Sequence, residues 1–177
     1  MKIRQKKSSK LLVVGSSPIG LIHAIQLVEN GNEVSVYDSN PKPGAAWSNR
    51  KIHSVELEFA WHAFSLEGNN EKHATDLIKI FKKLGMSLIK RNSLKSLDEE
   101  IDRTYFNELN YLSCGLSSGE IVSRLKEKAK DCGVNFGLKK NISYVRETKG
   151  GVSVHISPES RNEIFDKIFM PSFIRLP

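Results

Sequence analysis

The chain has 177 residues, which is enough for one domain or for one domain with an insertion. No apolar run approaches the ~20 residues that cross a bilayer, and the N-terminus has no apolar signal core, so composition argues against a membrane span and against secretion. The net charge is +7, but five positive charges fall within the first ten residues and leave only +2 for the rest, so a nucleic-acid-binding surface is not expected.

The charge distribution and the cysteines set the predicted domain organisation. We interpret residues 1–10 as a basic, flexible terminus and residues 11–177 as one domain, with a helical insertion at about 70–115. Cys114 and Cys132 are too few for a disulfide framework, and neither they nor His53, His73 and His155 show metal-ligand spacing. We therefore expect a cytoplasmic protein without a metal site.

The first 44 residues show the pattern of a strand, a helix and a second strand. Lys10–Gly15 is a short apolar run that ends in glycine, which predicts a buried strand. Gly20–Glu29 has apolar residues at helical spacing, and Asn30–Asn32 contains a glycine suited to end that helix. Glu33–Asp38 is the second predicted strand, and the prolines of Asn40–Gly44 predict a loop.

The middle of the chain is less regular. Val55–Phe59 alternates weakly and is interpreted as a short strand, and Lys90–Arg103 as loop or partly formed helix. An amphipathic helix ending at Gly85 is predicted from an apolar stripe, which consists of Leu77, Ile80, Phe81 and Leu84.

A helix and three strand-like runs are predicted after residue 116. Ser117–Glu120 has capping-box spacing, and the helix that follows ends near Gly133. Its buried stripe consists of Ile121, Leu125 and Ala129. The strand-like runs are Asn141–Thr148, Gly151–Ser157 and Glu163–Pro171, with a hairpin turn at Lys149–Gly151 between the first two.

The segment from Gly15 to Gly20 carries the chemistry, because it lies between a strand and a helix and nearly matches G-x-G-x-x-G. Gly15 permits the tight turn, a small residue at position 17 lets the backbone approach a pyrophosphate, and Gly20 permits close packing of helix on strand. The helix then presents free N–H groups to the phosphates. The residues expected to hold a pyrophosphate are Gly15, Ser16, Ser17, Ile19 and Gly20.

Asp38 follows Gly20 by 18 residues, near the position of the acid that accepts hydrogen bonds from ribose hydroxyls. A carboxylate here would repel a 2′-phosphate, so NADP is disfavoured. Ser17 adds a Cβ where glycine is usual, so the alternative is a domain of the same fold that has lost its ligand.

The stretch Leu12–Leu21 together with Val36–Asp38 resembles the N-terminus of FAD-dependent oxidoreductases. Asn40–Trp47 is similar to the second flavin motif of the amine oxidase and protoporphyrinogen oxidase group, which normally has two glycines and an arginine. Gly44 matches the first glycine, Ala45 takes the place of the second, and Ala46 takes the place of the arginine. The resemblance implies that Gly44–Trp47 lies on the flavin side of the cofactor and that Val145 lies against the adenine end.

The resemblance implies an α/β fold, namely a Rossmann-like FAD/NAD(P)-binding domain with a central parallel sheet, a helical insertion and a small antiparallel meander. FAD is the expected cofactor and NAD the alternative. Family members are longer and carry a substrate domain, so we expect a fragment, one half of a split enzyme that needs a partner subunit, or a reduced, non-catalytic relative. His62 is the candidate closest to the flavin by family position, but no catalytic residue is assigned.

Overall fold

The computed structural model describes residues 8–44, 47, 49–57, 64–65, 71–91 and 111–170. Ala45, Ala46, His62 and most of the predicted loop Lys90–Arg103 lie outside the described residues. The helices are α1 (Pro18–Glu29), α2 (Glu71–Lys83) and α3 (Ser118–Asp131). The strands are β1 (Lys10–Val14), β2 (Glu33–Asp38), β3 (Arg50–Ile52), β4 (Val55–Leu57), β5 (Phe64–Ser65), β6 (Ile89–Arg91), β7 (Tyr111–Ser113), β8 (Asn135–Leu138), β9 (Asn141–Thr148), β10 (Gly151–Ser157), β11 (Arg161–Phe165) and β12 (Lys167–Phe169).

The central feature is a four-stranded parallel sheet with the strand order β12-β1-β2-β8. β1 and β2 are adjacent and in register from Lys10↔Glu33 to Val14↔Tyr37, with α1 as the connection between them. A parallel pair requires such a crossover, and burial on both faces suits the nearly continuous apolar runs of these strands. The predicted α/β fold with a central parallel sheet is therefore confirmed.

α1 begins inside the glycine segment rather than after it. Pro18 is its first residue, where the missing N–H costs nothing and the fixed φ suits a helix. The helix ends at Glu29, and Gly31 follows with a φ of +85°. The apolar face predicted from the sequence is confirmed, because Leu21, Ala24 and Ile25 are buried. No helix within the described ranges has the length and apolar composition that crossing a bilayer requires.

Helical spacing places His23 on the polar side of α1, which predicts a solvent-facing side chain, but in the structure His23 is half-buried. Its ring packs against Phe169 of β12, with ring centroids 4.7 Å apart, and its Nε2 is buried without a hydrogen-bond partner. The helical periodicity assigns His23 to the polar side because it considers α1 alone. The neighbouring strand β12 covers that side near the sheet edge.

The predicted hairpin and meander are present after residue 140. β9, β10 and β11 form an antiparallel sheet in the order β11-β10-β9, and the turn between β9 and β10 lies where Lys149–Gly151 predicts it. The predicted run Glu163–Pro171 is not one strand. It divides at Asp166 into β11 of the meander and β12 of the parallel sheet, and Asp166 holds the crossing point through hydrogen bonds with the Lys10 backbone at 2.7 and 2.8 Å.

Side chains from the parallel sheet and the meander share one core. Leu12 and Tyr37 from β1 and β2 pack with three buried meander residues, Val154, Ile156 and Phe165. The rings of Tyr37 and Phe165 meet edge to face with centroids 6.0 Å apart, and the Tyr37 hydroxyl donates to Glu163 at 2.7 Å. Because the two sheets meet here, this core positions β1 and β2, whose carboxyl ends carry the predicted site.

Internal contacts divide the chain into one unit of Met1–Phe59 with Gly119–Pro177 and a second unit of Ala60–Ser118. The second unit contains α2, whose predicted apolar stripe is confirmed and whose Phe81 is buried. It also contains a three-stranded antiparallel sheet, β5-β7-β6. The described part of the insertion expected at about 70–115 contains α2 and also two short strands, β6 and β7, so this segment is not purely helical.

We expect Phe165→Ala to destabilise the protein by about 3–5 kcal/mol, because it removes a fully buried ring from the core that joins the two sheets. Ile164→Ala is the matched control. The side chain of Ile164, next to Phe165 in the chain, is largely exposed, so its truncation should cost about 0.5 kcal/mol or less. Urea unfolding of both variants measures the difference. Equal losses of unfolding free energy would show that this core does not hold the sheets together.

Candidate functional site

The turn after β1 is built from Gly15, Ser16 and Ser17. Gly15 has a φ of +96°, which only glycine adopts without strain, and its N–H donates to the carbonyl of Tyr37 at 2.7 Å. Ser17 is the N-cap of α1, and its hydroxyl oxygen accepts a hydrogen bond from the Gly20 N–H at 3.3 Å. The backbone of Ser17 has a φ of −60°, so this position does not require glycine for conformational reasons.

The first turn of α1 presents unused donors. Within the described part of the chain, the N–H groups of Ser17 and Ile19 have no hydrogen-bond acceptor, as expected for the first groups of a helix. The side chain of Ile19, the second residue of α1, is 66% exposed. Free N–H groups and the positive end of the helix dipole together form a surface suited to an anion.

Asp38 ends β2 beside this turn and is only 5% exposed. Its Oδ2 accepts from the Ser16 N–H at 2.8 Å and from the Ser16 hydroxyl. Its Oδ1 accepts from the Asn40 N–H at 2.8 Å and from the Asn40 side-chain amide at 2.9 Å. Each carboxylate oxygen therefore has two donors, and the carboxyl group of Asp38 is fully engaged within the protein.

These contacts determine the ionisation of Asp38. Burial by itself raises the pKa of a carboxyl group, but the hydrogen bonds from Ser16 and Asn40 outweigh it and hold the pKa of Asp38 below its usual value. Asp38 is thus a carboxylate at neutral pH. Its negative charge strengthens the hydrogen bonds that it accepts from Ser16 and Asn40.

Ser16 extends this arrangement to the loop after β2. The Gly44 N–H lies 2.9 Å from the Ser16 carbonyl oxygen and 3.2 Å from its hydroxyl oxygen. We call Ser16, Asp38, Asn40 and Gly44 the Asp38 cluster. A Cβ at Gly44 would lie 2.7 Å from a methyl carbon of Val122 in α3, and its φ is +103°, so no other residue fits there. The cluster therefore joins the two glycine-containing segments predicted from the sequence.

Of the remaining predicted site residues, Trp47 and Val145 lie within the described part of the chain. Trp47 is half-buried, and its N–H donates to the Gly44 carbonyl at 2.8 Å. Val145 is half-buried in β9 opposite Val154. Arg50 follows Ala46 closely in the sequence and is a candidate substitute for the arginine that the second flavin motif normally has, but its side chain lies outside the described residues, as do Ala45 and Ala46.

Sequence reasoning did not identify Asn40 as part of the site. Its backbone contact is an Asx turn, in which an aspartate side chain accepts a hydrogen bond from the backbone N–H two residues on. Ser16 was expected at the phosphates, but its hydroxyl is committed to Asp38 and Gly44. Asn49 was also missed. Its side-chain oxygen accepts from the Gly119 N–H at 3.1 Å at the start of α3, across 70 residues of sequence that offer no local signal.

A surface cavity of about 740 Å³ lies elsewhere, on the meander, and its lining includes Tyr144, Arg146, His155 and Asn162. None of the described residues of the two glycine-containing segments lines it. We place the candidate site at the turn after β1 because ligands of open α/β sheets bind outside the carboxyl ends of the parallel strands. The free helix donors lie at that edge.

Comparison with known proteins supports the fold. Residues 13–81 match a family described as NAD(P)-binding Rossmann-like domain. Among curated proteins, no sequence matches the chain. In all, 871 chains of known structure match, so the fold alone does not select one activity.

Three solved structures illustrate the similarity. A protein from Pyrococcus furiosus has a TM-score of 0.64 and 12% identity, with 93% of this chain and 59% of that chain covered. An oxidoreductase from Methanosarcina mazei has a TM-score of 0.57 and 13% identity, with coverage of 91% and 58%. CabE, an aromatic hydroxylase from angucycline biosynthesis, has a TM-score of 0.54 and 16% identity, with coverage of 92% and 30%. The chain thus spans about a third to three fifths of these proteins, and its fold is Rossmann-like.

We expect Asp38→Asn to destabilise the protein by about 1.5–3 kcal/mol at pH 7, the range of a hydrogen bond to a charged group. The contribution of Asp38 is complete above its unfolded pKa of about 3.9 and is lost as the pH falls through its lower folded pKa. Urea unfolding from pH 7 to pH 3 should show this acid loss in the wild type and not in the variant. The control is the exposed Asp131→Asn, and parallel pH curves for the wild type and Asp38→Asn would contradict the assignment.

Proposed function

We propose that this chain binds the ADP portion of FAD at the segment Gly15–Gly20 and forms the FAD-binding part of an oxidoreductase. The observation that carries the proposal is the pair of unused N–H donors, Ser17 and Ile19, at the N-terminus of α1. They lie next to a buried carboxylate at the end of the neighbouring parallel strand. Such donors attract phosphate, and such an acid is the usual partner of a ribose.

The roles of the residues follow from this placement. The pyrophosphate is held by backbone donors of the segment that contains Gly15, Ser16, Ser17, Ile19 and Gly20, with Ser17 and Ile19 supplying free N–H groups. The exposed side chain of Ile19 is covered by the ligand, which removes its apolar surface from water. Asp38 accepts a hydrogen bond from a ribose hydroxyl, and its charge disfavours a ligand with a 2′-phosphate.

The loop after β2 favours FAD over NAD. Gly44 is bonded to Ser16 and is packed against Val122, so the second glycine-containing segment is held beside the first. The resemblance of Asn40–Trp47 to the second flavin motif assigns Gly44, Ala45, Ala46 and Trp47 to the flavin side. The looser resemblance of the later part of the chain to the same family assigns Val145 to the adenine side. Within flavoproteins, this motif indicates the amine oxidase and protoporphyrinogen oxidase group.

NAD is the second candidate, and one finding favours it. The family that matches residues 13–81 is described as NAD(P)-binding, and a carboxylate at the end of β2 suits the unmodified ribose of NAD. The Asp38 cluster is compatible with either ligand, because both contain the same ADP portion. A ligand titration therefore decides between them.

Bound flavin would supply the redox chemistry, and this chain would supply binding and orientation. The solved structures with the same fold are longer than the chain, and they include an oxidoreductase and an aromatic hydroxylase. We propose that the substrate site is provided by a further domain or by a partner subunit. A non-catalytic nucleotide-binding subunit is the alternative role for the same site.

The purified protein should take up FAD and retain it through gel filtration. The expected result is the visible absorbance of a bound flavin, with FAD identified after denaturation. NAD, added at the same concentration to the FAD-loaded protein, should not displace the bound flavin. A colourless protein that binds NAD would replace FAD by the second candidate, and a protein that binds neither would overturn the dinucleotide assignment.

Ser17→Gly should tighten FAD binding by a factor of a few, because it removes a Cβ from the point where the backbone approaches the pyrophosphate. Glycine is an acceptable N-cap, so the stability cost is only a few tenths of a kcal/mol. Ser17→Ala is the matched control. It keeps the Cβ and loses the cap, so it should bind FAD no better than wild type and lose about 1 kcal/mol of stability. Fluorescence titration that shows equal affinities for both variants would refute the role of position 17.

A further inference from the structure

The carboxylate of Asp38 has no free acceptor position in this structure. A carboxylate offers about four lone-pair positions, and four donors fill them, two from Ser16 and two from Asn40. A ribose hydroxyl can therefore bond to Asp38 only if one of these donors leaves. The identity of the donor that leaves decides how strongly ribose binds.

Three of the four donors are held in place. Ser16 is fully buried, so its N–H and hydroxyl have no water to turn to, and its hydroxyl also interacts with the Gly44 N–H. The Asn40 N–H belongs to a backbone that is fixed on its other side, because the Asn40 carbonyl accepts from the Lys139 N–H at 3.1 Å. Releasing any of these donors would leave a buried polar group unpaired or would move the loop.

The fourth donor is the Asn40 side-chain amide. Asn40 is exposed, so a rotation of its side chain transfers the amide from Asp38 to water. That exchange replaces one hydrogen bond by another and needs no backbone movement. It is the least costly way to open an acceptor position on Oδ1.

We propose that Asn40 is an affinity-determining residue that competes with the ligand, because its side-chain amide occupies the position on Asp38 that a ribose hydroxyl takes. This inference rests on the proposed nucleotide site but does not depend on whether the ligand is FAD or NAD. Each ribose contact to Asp38 requires the release of this amide. The exposed side chain of Asn40 therefore lowers the affinity for any ligand that uses the ribose hydroxyls.

The test compares ADP with 2′,3′-dideoxy-ADP, titrated by calorimetry into the wild type, Asn40→Ala and Ser39→Ala. Asn40→Ala keeps the backbone N–H and carbonyl and removes only the competing amide. We expect it to bind ADP roughly three- to tenfold more tightly, in line with the net value of one hydrogen bond. The affinity for 2′,3′-dideoxy-ADP should not change. Ser39→Ala, at the neighbouring exposed position, should bind both ligands like the wild type.

The outcomes separate this inference from the proposed function. If the wild type binds ADP and Asn40→Ala binds it equally or more weakly, the competition is refuted while the nucleotide site stands. A gain of the same size for the dideoxy ligand also refutes it, because that ligand has no hydroxyl to take the vacated position. If neither the wild type nor Asn40→Ala binds ADP, the nucleotide site itself is wrong and the inference falls with it. ADP binding by Asn40→Ala alone supports both.

Discussion

The structure around the candidate site depends on one buried charge, the carboxylate of Asp38. It lies at the end of β2 and accepts hydrogen bonds from Ser16, in the turn after β1, and from Asn40, in the loop after β2. A buried carboxylate is stable only when it is paired or hydrogen-bonded, so the two segments must adopt conformations that bring their donors to it. These contacts also position the loop that contains Gly44, because the Ser16 carbonyl oxygen accepts a hydrogen bond from the Gly44 N–H.

This arrangement holds the residues of the candidate site in place without a ligand. The free N–H groups of α1 and the second glycine-containing segment are held side by side by groups within the protein, so a ligand would not have to order them. Preorganisation of this kind reduces the entropic cost of binding. The same hydrogen bonds leave Asp38 without a free acceptor position. The exposed Asn40 amide is the donor that a ligand replaces most easily. The carboxylate that organises the candidate site is thus also the group for which the Asn40 amide and a ribose hydroxyl compete.

The core under the site explains why these two strands are fixed in space. Leu12 and Tyr37 pack against the meander residue Phe165, and the Tyr37 carbonyl accepts from the Gly15 N–H. The packing of the meander on the parallel sheet is thereby linked through one residue of β2 to the turn that begins the glycine segment. The solved structures with the same fold are longer than this chain, and two of them are described as an oxidoreductase and an aromatic hydroxylase, so the shared fold does not by itself select one activity.

The sequence by itself determined the βαβ unit, the apolar faces of α1 and α2 and the hairpin of the meander, because each depends on periodicity, capping and turn residues within a short stretch of chain. It also identified Asp38 and the glycine segment as the candidate site. The tertiary structure alone decided the packing of His23 against β12, the division of Glu163–Pro171 between two sheets and the capping of α3 by Asn49. It alone showed that the donors around Asp38 come from both loops. These features depend on contacts between residues far apart in the chain, and local patterns do not encode which distant groups will meet.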